Sequence, residues 1–165
     1  MGRIADKLFY DFDLHKLGYD FMGYYFDNKN ELSYHHIQTR QQKGKTTLDN
    51  GALLNRNTSH NYIHTIEEYE FDLFEELSEI LKDEHRCKAI TAEHLREIRT
   101  ILEYFEQKYN NQYTKRGNLI VKEEYVRRRV ILWADILTFA ISHNAVWLRN
   151  EWDMQICATL FTTGI

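Results

Sequence analysis

Proline is missing from this sequence altogether, and cysteine appears only twice, as Cys87 and Cys157. Without proline no ring interrupts a helix, so long helices are open to the chain. Two distant cysteines in no C-x-x-C pair exclude a disulfide scaffold and a thiolate zinc knuckle. One long-range disulfide is allowed, but the expected state is two buried free thiols in a reducing cytosol. Long apolar runs are also scarce. The longest patch, Val130 to Ile141, is broken by Asp135 and is too short to span a bilayer. No apolar run follows Met1, so no signal peptide is expected, and Asp6 sits where a myristoylation motif needs Ser or Thr. A soluble, cytoplasmic protein with no membrane partner is the expectation. Excess charge of one sign is lacking too. The formal net charge is −4, so any surface that attracts nucleic acid must be local.

What the chain does have is a core. Of its 165 residues 43% are hydrophobic and 14% aromatic, which excludes disorder and suits one domain. Residues 1–21 space Ile4, Leu8, Phe9 and Phe12 at helical intervals and read as a lead-in helix. Asp11, Asp13 and Asp20 around it are expected to be solvated. The aromatic run Gly23 to Phe26, the turn Asp27 to Asn30 and the segment Glu31 to Ile37 predict a β-hairpin. Gln38 to Asn50 reads as a loop and Gly51 to Leu54 as a short buried strand. A helix capped by Thr58 or Ser59 follows. From Glu67 onward the pattern is helical, with a glutamate-rich face beside a Leu/Ile/Phe stripe and Cys87 in a loop. Thr91 caps the next helix, in which Leu95, Ile98, Ile101, Leu102, Phe105 and Tyr109 repeat. Further helices are expected from Val121 to Ile141 and from Val146 to Phe161. The predicted division is 1–21 lead-in, 22–66 core and 67–165 helical region packed on that core.

Four of the eight histidines fall within the central stretch Tyr34 to Ile66. His35 and His36 are adjacent on a strand, so they point to opposite faces and have different tasks. His60 and His64 are four apart on a helix, so they share a face. Imidazoles converging from a strand and a helix can hold a divalent ion: His35, His60 and His64 as ligands, with a fourth position open. His36 is then free to act as general base near neutral pH. His60-x-x-x-His64 is not the zinc-protease helix, because Asn61 stands where that motif needs Glu.

These pieces resemble the HNH, or ββα-metal, nuclease motif, in its His-rich branch typified by bacterial DNase toxins. The resembling segments are Tyr34-His35-His36-Ile37, Asp49-Asn50-Gly51-Ala52-Leu53-Leu54 and Ser59-His60-Asn61-Tyr62-Ile63-His64. The resemblance implies an α+β fold: a ββα-metal core with an N-terminal β-hairpin, followed by a mainly helical C-terminal bundle. It implies one divalent metal ion (Mg, Mn, Ni or Zn) and hydrolysis of phosphodiester bonds in DNA, with RNA as another substrate. His35, His60 and His64 become the ligands, His36 the base, and Asn50 the residue that orients the His36 segment. A phage, plasmid or defence setting accompanies that activity. The paired C-x-x-C knuckles of many members, and the loop proline, are absent here.

Arg40, Lys43, Lys45 and Arg56 flank these histidines with almost no acids between them, a pattern suited to phosphate contact without base reading. Arg127-Arg128-Arg129 forms a second basic patch that could equally pair with the acidic helix. The helical half offers a face for a homodimer or another protein. The alternative function is a non-catalytic, metal-stabilised module that binds nucleic acid or protein.

Overall fold

A computed structural model describes residues 2–113, with side chains through residue 108. The expected helices after Val121, the triple arginine and Cys157 lie outside the described residues. The described part is α+β. Helices α1 (Arg3–Asp11) and α2 (Leu14–Leu17) come first, then strands β1 (Leu32–His36) and β2 (Gly51–Asn55), then α3 (Ser59–Tyr69), α4 (Phe71–Cys87) and α5 (Ala92–Tyr113). Among the described residues no helix is long and apolar enough to cross a membrane.

The β-hairpin is real, but its arms are not those expected. β1 pairs antiparallel with β2, in the register Leu32 to Asn55 and His36 to Gly51. The aromatic run before β1 folds on itself instead. The Asp20 carboxylate accepts backbone N–H bonds from Met22 and Tyr24, each 2.9 Å, and Gly23 takes φ +85°. Only one bridge, Tyr19 to Tyr25, survives there. A local side chain thus outcompetes the ladder, and Tyr19, Phe21, Met22 and Tyr24 plug the core from a loop.

β2 is buried along its whole length, packed by α1 and by α3. That burial explains its run of small and apolar residues with no polar alternation. α3 packs on α4 and α4 on α5, so the helices form a stack behind the sheet. The backbone breaks at Glu70 (φ −144°, ψ 74°), so the helix expected from Glu67 onward is two. α3 runs past Ile66 to Tyr69 and keeps Glu67 and Glu68. Cys87 ends α4 and is exposed, not buried as expected. Thr91 does cap α5: its Oγ1 accepts the His94 N–H at 3.1 Å.

Asp20 corrects a further expectation. It is fully buried rather than solvated. Besides Met22 and Tyr24, it accepts the Asn55 N–H at 2.8 Å and the Ser59 hydroxyl. Burial pushes its carboxyl up to about 6, against the downward pull of these four bonds. Replacing Asp20 with Ala strands buried donors from three segments. Denaturant titration should show a loss of about 3–5 kcal/mol.

Glu84 on α4 is equally buried, and neither of its oxygens has a hydrogen-bond partner among the described residues. Burial, then the nearby Asp20 carboxylate, holds its carboxyl well above the ordinary range. A carboxyl raised in the fold is least costly below its unfolded value of 4.5 and most costly once pH passes the folded value. Glu84→Leu should therefore stabilise the protein by about 1–3 kcal/mol at pH 8 and by much less at pH 5 in paired denaturation curves.

Candidate metal centre

Alternation along β1 separates the adjacent histidines, as pleating requires. His35 faces α3. His36 lies on the other face, its ring against Tyr34 at 4.8 Å between centroids. On α3, the spacing of four carries His60 and His64 round to one side. The three rings converge: centroids lie 5.3 Å apart for His35–His60, 5.4 Å for His35–His64 and 5.0 Å for His60–His64. One ligand atom from each lies within 4.8 Å of the others. Three nitrogens on one zinc-like ion, each about 2.1 Å from it, stand roughly 3.4 Å apart. Small ring rotations cover that difference.

The outer partners set the tautomers. His64 Nδ1 lies 3.0 Å from Glu67 Oε1, an acceptor, so Nδ1 carries the proton and Nε2 keeps its lone pair. His60 Nδ1 lies 2.6 Å from Ser33 Oγ. When the Ser33 hydroxyl gives its own proton to the Leu54 carbonyl, 3.5 Å away, it accepts from His60 Nδ1. In that tautomer both helical imidazoles keep a lone pair on Nε2, each held by the kind of partner that steadies a ligating histidine.

His35 is the odd member. It is 1% exposed, and neither ring nitrogen has a hydrogen-bond partner among the described residues. Such an orphan is uncommon, because a buried polar atom without a bond is costly. Burial, reinforced by the imidazoles of His60, His64 and His36, holds its pKa well below 6.5. Burial also takes His60 down to about 4, with His64 and His36 adding to the shift. Both rings are neutral at pH 7, the form that ligates. An ion on the three rings would satisfy one His35 nitrogen, so the residues present fit a bound metal.

The described residues contain one other group with metal-ligand chemistry, Asp83, Cys87 and His94. Here the protein completes itself. The Thr91 N–H approaches His94 Nδ1 at 3.4 Å, so Nε2 carries the proton and donates it to Asp83 Oδ2 at 2.7 Å. His94 has no lone pair left for an ion, and the group serves to tie α4 to α5.

His35, His36, His60 and His64 line one cleft of ≈ 670 Å³, together with Arg40, Glu67, Glu68 and Phe71. His36 Nε2 lies 2.8 Å from Thr46 Oγ1, and partial burial with the Arg40 charge lowers its pKa. Asn50 fastens the loop that follows. Its Oδ1 accepts the Gln38 N–H at 2.8 Å, and its Nδ2 donates to Gln38 O at 3.1 Å and Lys45 O at 2.8 Å. Gly44 closes the same loop, because a Cβ there would stand 1.7 Å from Gln38 O. Of the basic residues expected at the site, only Arg40 reaches this cleft. Lys43 and Lys45 line a neighbouring concavity. Arg56 follows Asn55, at the end of the hairpin opposite His36.

Glu67 is the site residue that the sequence reading missed. It looked like the first of a solvated acidic row, yet His64-x-x-Glu67 is a helical i, i+3 pair. Glu67→Ala should leave the fold intact and weaken binding of a divalent ion by about 10–100-fold in calorimetric titration. Comparison of the chain with protein-family models, with curated proteins and with solved structures finds no match.

Proposed function

We propose that this chain is a metal-dependent endonuclease of the ββα-metal type, hydrolysing phosphodiester bonds in DNA. The observation that carries the reading is the convergence of His35, His60 and His64, with the His35 ring wholly buried and without a hydrogen-bond partner among the described residues. The order of strand, loop, strand and helix that delivers them is the order the HNH resemblance implies.

His35, His60 and His64 hold the ion, and Ser33 and Glu67 orient two of them. A bound divalent ion supplies Lewis-acid stabilisation of charge on the scissile phosphate and the departing 3′ oxygen. His36 is the base. In the tautomer that donates Nε2–H to Thr46 Oγ1, the Nδ1 lone pair takes the proton from the attacking water. The water oxygen bonds to phosphorus, the bond to the 3′ oxygen breaks, the departing oxygen takes a proton from solvent, and the products carry a 5′ phosphate and a 3′ hydroxyl. Asn50 is a positioning residue: it fixes the backbone two residues beyond His36. Arg40 lies where a cleft phosphate would need a cation.

One observation favours a second reading, a non-catalytic module stabilised by its metal. Glu67 and Glu68 stand at the cleft and would repel a phosphate unless a cation offsets them. Plasmid nicking with Mg²⁺, Mn²⁺, Ni²⁺ or Zn²⁺ separates the two. The nuclease reading expects metal-dependent cleavage that falls about 10²–10⁴-fold in His36→Ala, while calorimetry finds metal binding unchanged. His60→Ala should lose both. Metal binding by the wild type with no cleavage under any of the four ions would establish the module instead.

A further inference from the structure

A second concavity, of ≈ 650 Å³, lies between the loop 37–50 and the C-terminal half of α4. Lys43 and Lys45 line it from the loop, Lys82 and Arg86 from the helix. Asp49 is the one acid in its lining, and its carboxylate is engaged by the Thr47 hydroxyl at 2.7 Å. Cations in the last turns of a helix are ordinary, because they oppose the helix dipole. That does not account for two lysines from a separate segment facing the same hollow.

We propose that this concavity is a second phosphate site, which grips the DNA backbone outside the metal cleft. The proposal rests on the nuclease reading for the identity of its ligand. Three features support it. First, the loop joins the two hollows: Thr39, Arg40 and Gln41 line the metal cleft, and Gln38, Lys43 and Lys45 line this one. A strand leaving the cleft past Arg40 meets four more cations. Second, both walls are rigid. Asn50 and Gly44 lock the loop, and the His85 ring bonds the Gly51 carbonyl and fixes α4 against β2. The backbone that carries the cations is therefore ordered before the ligand arrives, which lowers the ordering cost of binding. Third, the charges are available. Lys43 and Lys45 have no acidic partner among the described residues. Among the described residues Lys82 and Arg86 pair with Glu79 and Asp83 on their own helix, as exposed i, i+3 contacts that hold weakly and yield to phosphate.

The test is fluorescence anisotropy of a labelled DNA duplex with EDTA present, so that no cleavage intervenes. The double variant Lys82→Gln/Arg86→Gln is compared with wild type across a salt series, and Lys7→Gln/Lys16→Gln on α1 and α2 serves as reference. These side chains are exposed, and thermal melts verify that each variant folds. The expected result is binding weakened at least about fivefold near 0.1 M salt. The slope of log K against log salt should fall by roughly 1.8, about 0.9 for each phosphate contact removed, with the reference pair unchanged. Wild-type affinity and slope in the α4 variant would overturn the proposal, as would a wild type that does not bind duplex DNA. The two readings fail separately. Cleavage with unaltered binding in the α4 variant keeps the nuclease and removes this site. Binding that depends on Lys82 and Arg86 without cleavage does the reverse.

Discussion

A single buried carboxylate holds the architecture together. Asp20 accepts bonds from its own turn, from Asn55 at the end of β2 and from Ser59 at the start of α3. Those last two residues bracket the reversal from strand to helix. Because Ser59 precedes His60, the bond that fixes the entry of α3 also fixes which way its histidine face looks. Asn55 extends the same network, donating from Nδ2 to the Tyr25 carbonyl and to Glu31 beside β1. The N-terminal turn, both strands and α3 therefore share one polar junction inside an apolar core. Such networks are stiff when every member is satisfied.

The candidate metal centre and the basic hollow are two outcomes of that arrangement. β1 exposes one histidine to each of its faces, and the loop after it carries cations from the histidine cleft to the second hollow. α3 supplies the remaining imidazoles, and α4, anchored through His85, supplies further positive charge. The candidate ligands thus come from elements with regular geometry, while the positive charge comes from a loop held by Asn50 and from one end of α4. On the proposed reading, chemistry that needs sub-ångström placement falls to the strand and helix, and looser contacts fall to the loop and α4.

Local patterns in the sequence were informative where one element decides the outcome. The repeat of Leu95, Ile98, Leu102 and Phe105 marked α5. The small apolar run Gly51 to Leu54 marked β2, and the spacing of His60 and His64 put both on one face. What could not be read depends on partners far along the chain. Asp20 looked like one more surface acid, because its bonding partners lie 35 and 39 positions away. Tyr24 to Phe26 looked like a strand, because composition does not reveal that a carboxylate captures the amides beside it. Glu67 was grouped with the acids after it until the break at Glu70 separated α3 from α4. Lys82 and Arg86 gain a neighbour in Lys43 only once the chain has folded.

Asn50 and Gly51 form the dipeptide most prone to deamidation, in which the glycine nitrogen attacks the asparagine side chain through a cyclic imide. In the native fold that route is blocked. The amide group of Asn50 is engaged on both of its atoms, and the Gly51 nitrogen points to the Leu48 carbonyl at 3.4 Å as the strand begins. An unfolded chain has no such protection. An aspartate formed there would set an acceptor against the carbonyls of Gln38 and Lys45, so the loop could not close again. Time spent unfolded is therefore recorded covalently, and the molecule ages through the residue that orders its loop.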